Sequence, residues 1–294
     1  MRKNISRRSA LRKIGGGAAA VAVAGNLSRR LNAAEEAAPR LKGRINHSVC
    51  KWCYDKIPLE EFCAAAKQIG LQSVELLNVG DFPTLKKYGL TCAVVSGVPG
   101  GINSGLNRLE NHDKIVEFME RTLPAVAEFG APNVICFSGN RKGLDDEKGL
   151  ENCAVGLKRI APLAERHKVT VIMELLNSKR SHKDYQCDLS KWGVELVRRV
   201  GSERFKLLYD IFHMQIMEGD VCDTIKENYQ CFGHYHTGGV PGRGEIDDTQ
   251  ELNYPRIMRT IVETGFKGFV AQEFVPKRPD ALASLRQSVQ ICDV

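Results

Sequence analysis

From Leu41 to the C-terminus the chain alternates short apolar runs with longer amphipathic stretches, eight of each, and few folds accept that order. The apolar runs predict strands at Arg44–Val49, Ser73–Leu77, Thr91–Ser96, Asn133–Ser138, Thr170–Leu175, Phe205–Ile211, Gln230–Tyr235 and Gly268–Phe274. The stretches between them predict helices at Leu59–Gly70, Phe82–Tyr88, Asn107–Phe129, Gly149–His167, Leu189–Val200, Gly219–Asn228, Tyr254–Thr264 and Asp280–Ile291. Eight strand–helix pairs over about 250 residues predict an α/β fold, a single (β/α)8 TIM barrel over residues 41–294. Gly70, Gly130, Gly201 and Gly265 follow four of the helical patterns, where a left-handed cap favours glycine. Strand 8 and its neighbours read as continuously apolar, as parallel strands covered on both faces require.

Three of these runs end on a carboxylate: Val171 to Glu174, Leu207 to Asp210 and Phe269 to Glu273. A fourth, Tyr229 to Tyr235, delivers His236, and a loop rich in glycine and proline then carries Arg243. A barrel places its chemistry at the carboxyl ends of its strands, and strands 5 to 8 are neighbours around the ring. Each acid alone reads equally well as a cap or an ion-pair partner, and a lone His-x-His as structural. Together, three carboxylates that must be paired or metal-bound when buried, plus one imidazole, form a hard O/N site for a divalent ion.

The charge of the chain lies at its start. Residues 1–40 hold nine Lys/Arg against two acids, which accounts for the whole net charge of +7 and leaves the remainder neutral. The basic balance therefore gives no argument for nucleic acid. Ser6-Arg7-Arg8-Ser9-Ala10-Leu11-Arg12-Lys13, the weakly apolar run Ile14–Gly25 and the small residues at Ala33-Ala34 resemble a twin-arginine signal, with Ala10 where an aromatic is usual. On this reading residues 1 to about 34 engage an export machinery that passes folded proteins to the periplasm, and 1–40 form signal and linker. A disordered basic tail or an organellar presequence is the competing reading. The apolar run is too short and glycine-rich for a stable membrane span. The ten cysteines sit mostly inside apolar runs and read as small core residues; Cys50-x-x-Cys53 lacks the second pair that a zinc framework needs.

Met173-Glu174-Leu175-Leu176-Asn177, Tyr209-Asp210-Ile211-Phe212-His213, Gly233-His234-Tyr235-His236 with Pro241-Gly242-Arg243, and Gln272-Glu273-Phe274-Val275-Pro276 resemble the xylose isomerase-like barrel superfamily. Within it they are most similar to hydroxypyruvate isomerases and ketose 3-epimerases, over nearly all of residues 41–294. The resemblance implies that Glu174, Asp210, His236 and Glu273 hold a divalent ion, Mn2+ or Mg2+ before Co2+ or Zn2+. It places His213 and Arg243 on the substrate and makes Glu174 and Glu273 the proton-transferring pair. The implied reaction is isomerisation of a small hydroxy-carbonyl compound through an enediolate, of the hydroxypyruvate/tartronate semialdehyde type. A planar guanidinium suits an acidic substrate. His236 leans towards the epimerases, which usually carry histidine there, and the Pro-Gly-Arg loop towards the isomerases. A ketose 3-epimerase, a metal-dependent phosphodiesterase and an exported non-catalytic sugar-binding barrel stay open as alternatives, as does a homo-oligomeric state. Among weaker features, Glu75 ends strand 2 and either reaches the site or is structural. His47 and Trp52 lie near the end of strand 1, as an aromatic wall or as packing. Lys179, His182 and Lys183 belong to a lid or to a solvated loop.

Overall fold

The computed structural model describes residues 40–294, so the twin-arginine reading of residues 1–34 lies outside the described residues. Eight parallel strands run in chain order as β1 (Asn46–Cys50), β2 (Ser73–Glu75), β3 (Val94–Val95), β4 (Asn133–Cys136), β5 (Thr170–Glu174), β6 (Phe205–Asp210), β7 (Phe232–Thr237) and β8 (Phe269–Gln272). Hydrogen-bonded ladders join them in the order β2-β1-β8-β7-β6-β5-β4-β3. The ring closes between β2 and β3 through parallel bridges at Ser73–Thr91 and Leu77–Val95. The fold is a single (β/α)8 barrel. Nine α-helices are found among the described residues: α1 (Leu59–Ile69), α2 (Phe82–Lys87), α3 (His112–Phe129), α4 (Asp146–His167), α5 (Ser190–Val200), α6 (Ile211–Met217), α7 (Val221–Asn228), α8 (Tyr254–Glu263) and α9 (Ala281–Cys292). Among the described residues no helix is long and apolar enough to cross a membrane.

Gly70, Gly130 and Gly201 adopt the left-handed caps that the sequence predicts, at φ 96°, 80° and 69°. Three departures from prediction have physical causes. Strand 3 shrinks from Thr91–Ser96 to two residues where the Ser73 hydroxyl takes over one of its ladder bonds. Ala93 N donates to Ser73 Oγ at 2.8 Å and the Cys92 thiol donates to Val94 O at 3.2 Å. Strand 2 stops at Glu75 because Leu76 turns to φ 57°. Strand 7 begins and ends two residues later than predicted. Tyr229–Cys231 form a 3-10 turn, and a register shift lets Leu207 pair with Phe232 but Leu208 with His234. That extra residue puts His236 inside the strand, opposite Asp210.

Helix α6 is absent from the predicted helix ranges, since Ile211–Met217 follows β6 directly and is only seven residues long. Asp210 starts it, its side chain accepting from His213 N at 3.1 Å.

Because side chains alternate across a strand, each inward residue in the lower barrel predicts the next one up, two positions later. Val94, Ile135, Ile172 and Leu208 pack together inside the barrel as an apolar plug on β3 to β6. Two residues onward on β5 and β6 come Glu174 and Asp210. The outer layer, between sheet and helices, is a larger core that includes Phe62, Leu123, Leu157, Tyr209 and Ile261.

The loops above β4 and β5 are pinned by one amide. Gln186, fully buried, accepts from Asn107 Nδ2 at 2.8 Å and donates to Asp145 O at 3.1 Å. It lies so close to Gly149 in α4 that a Cβ there would sit 2.2 Å from the amide atoms. Gly149→Ala is expected to displace Gln186 and to cost roughly 1–3 kcal/mol, read as a lower urea midpoint with an unchanged slope.

Candidate active site

Glu174, Asp210, His236 and Glu273 present ligand-type atoms that all lie within 4.8 Å of one another, and all four residues are buried. The arrangement follows from barrel register: His236 pairs with Asp210 on one side and with Ala271, two residues before Glu273, on the other. Nδ1 of His236 lies 2.6 Å from Glu273 Oε2, 3.4 Å from Glu174 Oε1 and 4.0 Å from Asp210 Oδ2. The four-residue convergence expected from the strand ends is present.

Three carboxylates this close and this buried need compensating charge. Arg243 supplies part of it. Its Nη2 donates to Asp210 Oδ2 at 2.6 Å and also to Glu273 Oε2, and its guanidinium lies over the Phe212 ring, 4.7 Å from the centroid. The loop that carries it is tightly built. Gly239 pairs with Gly244, Arg243 itself takes φ 53°, and Val275 N donates to Arg243 O at 2.7 Å. A left-handed backbone costs a non-glycine residue roughly 1–2 kcal/mol, so the loop holds this side chain in place against strain.

The compensation is uneven. Burial would raise Glu273, but the Arg243 guanidinium and the His236 ring hold it well below the usual carboxylate range. Trp52 Nε1 also donates to Glu273 Oε1, at 2.7 Å. Burial pushes Glu174 up to about 7. Asp210 is also raised, burial outweighing Arg243. Two carboxylates facing one spot with proton affinities pushed apart are the usual arrangement for acid–base work.

His213 faces Asn177 Nδ2 at 2.6 Å and Arg243 Nη1 at 3.1 Å. Both neighbours are donors, and burial together with the Arg243 charge lowers its pKa well below the ordinary histidine value. It is a neutral imidazole on the cavity wall. The cavity above the cluster encloses about 710 Å³. Its reactive side carries Glu174, Glu273, His213 and Arg243, while Leu76, Val98, Ile102, Ile135 and Phe137 form an apolar wall opposite.

The weaker sequence candidates divide. Trp52 lines the cavity and touches Glu273, and His182 lines it beside His213 with ring centroids 5.2 Å apart. Lys179 instead caps α6, its Nζ donating to Ile216 O and Met217 O, and Lys183 is exposed. His47 lies near the amino-terminal start of β1, 3.7 Å from Asp293, because β1 runs on to Cys50; it is not part of the site. Glu75 does not line the cavity but sits behind His236, 2.9 Å from its Nε2. The cysteines are free, with Cys50 buried 3.7 Å from His236 Nε2.

The donor set fits a divalent cation. His236 Nδ1 is fully buried, points at three carboxylates and has no hydrogen-bond partner of suitable geometry. Three carboxylate oxygens and one imidazole nitrogen are the ligand chemistry of Mn2+, Mg2+ and related ions.

Residues 63–291 match the family described as Xylose isomerase-like TIM barrel. The chain belongs to that family. Among curated relatives, a Homo sapiens protein named "Putative hydroxypyruvate isomerase" is 27% identical over 237 residues, 77% of this chain and 78% of that one. The D-psicose 3-epimerase of Ruminiclostridium cellulolyticum is 29% identical over 136 residues, 45% of this chain and 43% of that one. Among solved structures, an AP endonuclease, family 2, from Brucella melitensis superposes with a TM-score of 0.74 at 23% identity, covering 84% of this chain and 99% of that one. That last likeness shows the barrel. This family member is an isomerase or epimerase, with a buried cluster of potential metal ligands at the carboxyl end of its strands.

Arg243 is the buried counter-charge for Asp210 and Glu273, so Arg243→Met should destabilise the fold by about 3–5 kcal/mol. Millimolar Mn2+ or Mg2+ should raise the melting temperature of Arg243→Met more than that of wild type, because the ion takes over the charge; differential scanning calorimetry with and without chelator checks this.

Proposed function

We propose that the enzyme is a metal-dependent isomerase of small hydroxy-carbonyl acids, interconverting compounds of the hydroxypyruvate and tartronate semialdehyde type through an enediolate. The observation that carries this reading is the pair Glu174 and Glu273, two buried carboxylates that line the cavity and approach His236 Nδ1 at 3.4 and 2.6 Å. Glu174, Asp210, His236 and Glu273 would hold the ion, Mn2+ or Mg2+ by donor type. When bound there, it supplies electrostatic stabilisation for the negative charge that develops on the substrate oxygens.

In the isomerisation, a proton leaves the hydroxyl-bearing carbon to give an enediolate, the hydroxyl proton moves to the former carbonyl oxygen, and a proton returns at the former carbonyl carbon, so that the hydroxyl carbon becomes the new carbonyl. One glutamate takes the first proton and the other delivers the second, their roles exchanging with direction. His213, neutral and on the wall, orients a substrate oxygen. Arg243 lines the cavity beside the cluster, where its guanidinium can turn toward a substrate carboxylate. The apolar wall excludes water from the enediolate.

A second reading, epimerisation of a free ketose at C3, uses the same pair and is favoured by the cavity. A volume of about 710 Å³ takes a longer chain than a three-carbon acid. Phosphodiester cleavage receives no support from the site, whose donors are three carboxylates and one imidazole without a basic groove. We also propose residues 1–34 as a twin-arginine signal for a periplasmic enzyme, on the charge pattern and paired arginines alone.

Deuterium uptake from D2O into hydroxypyruvate and a panel of ketoses, followed by proton NMR with divalent ion and with chelator, tests the chemistry. Exchange at one substrate carbon, dependent on the ion, is expected and names the substrate. Glu174→Gln and Glu273→Gln should each lower the exchange rate by about 100-fold or more. Full exchange by Glu174→Gln would remove this mechanism. Arg243→Ala should raise KM for hydroxypyruvate far more than for a neutral ketose, and equal losses on both would remove the carboxylate role of Arg243.

A further inference from the structure

The imidazole of His236 reaches the cluster with Nδ1 and turns Nε2 the other way, onto Glu75. Oε1 of Glu75 lies 2.9 Å from His236 Nε2 and 2.9 Å from His234 Nε2. Its Oε2 accepts from Ser48 Oγ at 2.5 Å. Glu75, Ser48, His234 and His236 are all fully buried, and Glu75 does not line the cavity. The two histidine rings are nearly perpendicular, at 87° with centroids 5.1 Å apart, so both edges converge on one oxygen.

An ionised carboxylate only accepts hydrogen bonds. Glu75 already accepts from Ser48, and as an ionised acceptor at 2.9 Å from both Nε2 atoms it pairs with them only where each carries hydrogen. The His236 lone pair is then on Nδ1, the nitrogen that faces Glu174, Asp210 and Glu273. Ser48 on β1 and His234 on β7 hold Glu75 from two sides, so neither its rotation nor that of His236 is free. The same three groups, Glu75, His234 and His236, also lie close enough to hold an ion of their own. Their spacing is that of hydrogen bonds to one shared oxygen, and an ion between them would need both Nε2 lone pairs.

We propose that Glu75, buttressed by Ser48 and His234, is a positioning residue that fixes the tautomer and ring orientation of His236, so that Nδ1 is presented as a neutral ligand to the divalent ion of the cluster. The proposal rests on the metal reading of that cluster. A carboxylate behind a ligating histidine both orients the ring and raises its basicity, and losing it typically weakens metal binding 10–100-fold.

Mn2+ binding to the full chain, measured by isothermal titration calorimetry, tests this with three proteins. Wild type should bind one equivalent, Asp210→Asn should lose that binding, and Glu75→Gln should bind about 10–100-fold more weakly at unchanged stoichiometry. In parallel, 15N-histidine NMR of the Mg2+-loaded wild type, with His236 located by the signals missing from His236→Gln, should show its proton on Nε2. That measurement decides the point even where Glu75→Gln does not fold. No binding to wild type, or binding untouched by Asp210→Asn, would overturn the metal reading and this proposal with it. Normal binding lost with Asp210→Asn but within twofold of wild type in Glu75→Gln, or a His236 proton on Nδ1, would overturn the role of Glu75 alone. A second equivalent lost in Glu75→Gln would make Glu75 a ligand instead and overturn it as well.

Discussion

The cost of holding carboxylates without water inside the barrel organises this structure. Glu75, Glu174, Asp210 and Glu273 are all buried at the carboxyl end of the strands, where each ionised group needs a partner. Glu75 finds two imidazoles and a hydroxyl, and its pKa falls to about 2 because His234 and His236 outweigh burial. Asp210 and Glu273 share Arg243, and Glu273 adds the Trp52 indole. Glu174 has no comparable cation, and it is the one pushed up to about 7. Three carboxylates thus meet one guanidinium at the place where His236 turns Nδ1 inward.

The barrel makes this concentration of charge affordable by dividing its interior. On β3 to β6 the lower layer is Val94, Ile135, Ile172 and Leu208, a dry plug that ties the ring together. On β7, β1 and β2 the interior is polar, with His234, Ser48 and Glu75 bonded to each other. The reactive layer lies above both. Its position is enforced by backbone at two left-handed residues, Leu76 directly after Glu75 and Arg243 on the loop above β7.

What was legible in the sequence is what periodicity and strand ends encode. Apolar runs terminating in Glu174, Asp210 and Glu273 mark both the barrel and the face on which those acids meet, because side-chain alternation and the parallel topology leave little choice. What escaped depends on contacts distant in sequence. The short β3 follows from the Ser73 side chain replacing a ladder bond, and α6 is a short helix that starts directly after Asp210. The late start of β7 comes from a register shift that no local signal announces. Arg243 reads from sequence as a free substrate clamp, yet its guanidinium is already engaged by Asp210 and Glu273. Its attachment across 30 or more residues is invisible to spacing. His234 reads as half of a weak His-x-His pair, and only the convergence on Glu75 separates its place from that of His236.

The two sides of the cavity carry a further consequence for the proposed chemistry. Charge sits on the side of β5 to β8, and the wall from Leu76 to Phe137 offers almost no hydrogen-bonding partners. On the proposed function, a hydroxy-carbonyl acid would put its reacting carbons at Glu174 and Glu273 and its acid group toward Arg243. The opposite orientation would bury the acid against apolar side chains, at the desolvation cost that already governs the protein's own carboxylates. Orientation is thus selected by penalty as much as by attraction. It also means that Arg243 serves two masters: each hydrogen bond it gives a substrate carboxylate loosens its hold on Asp210 or Glu273. Substrate binding and the charge balance of the cluster are coupled through that one guanidinium, and an ion in the cluster is what would free it to turn toward the substrate.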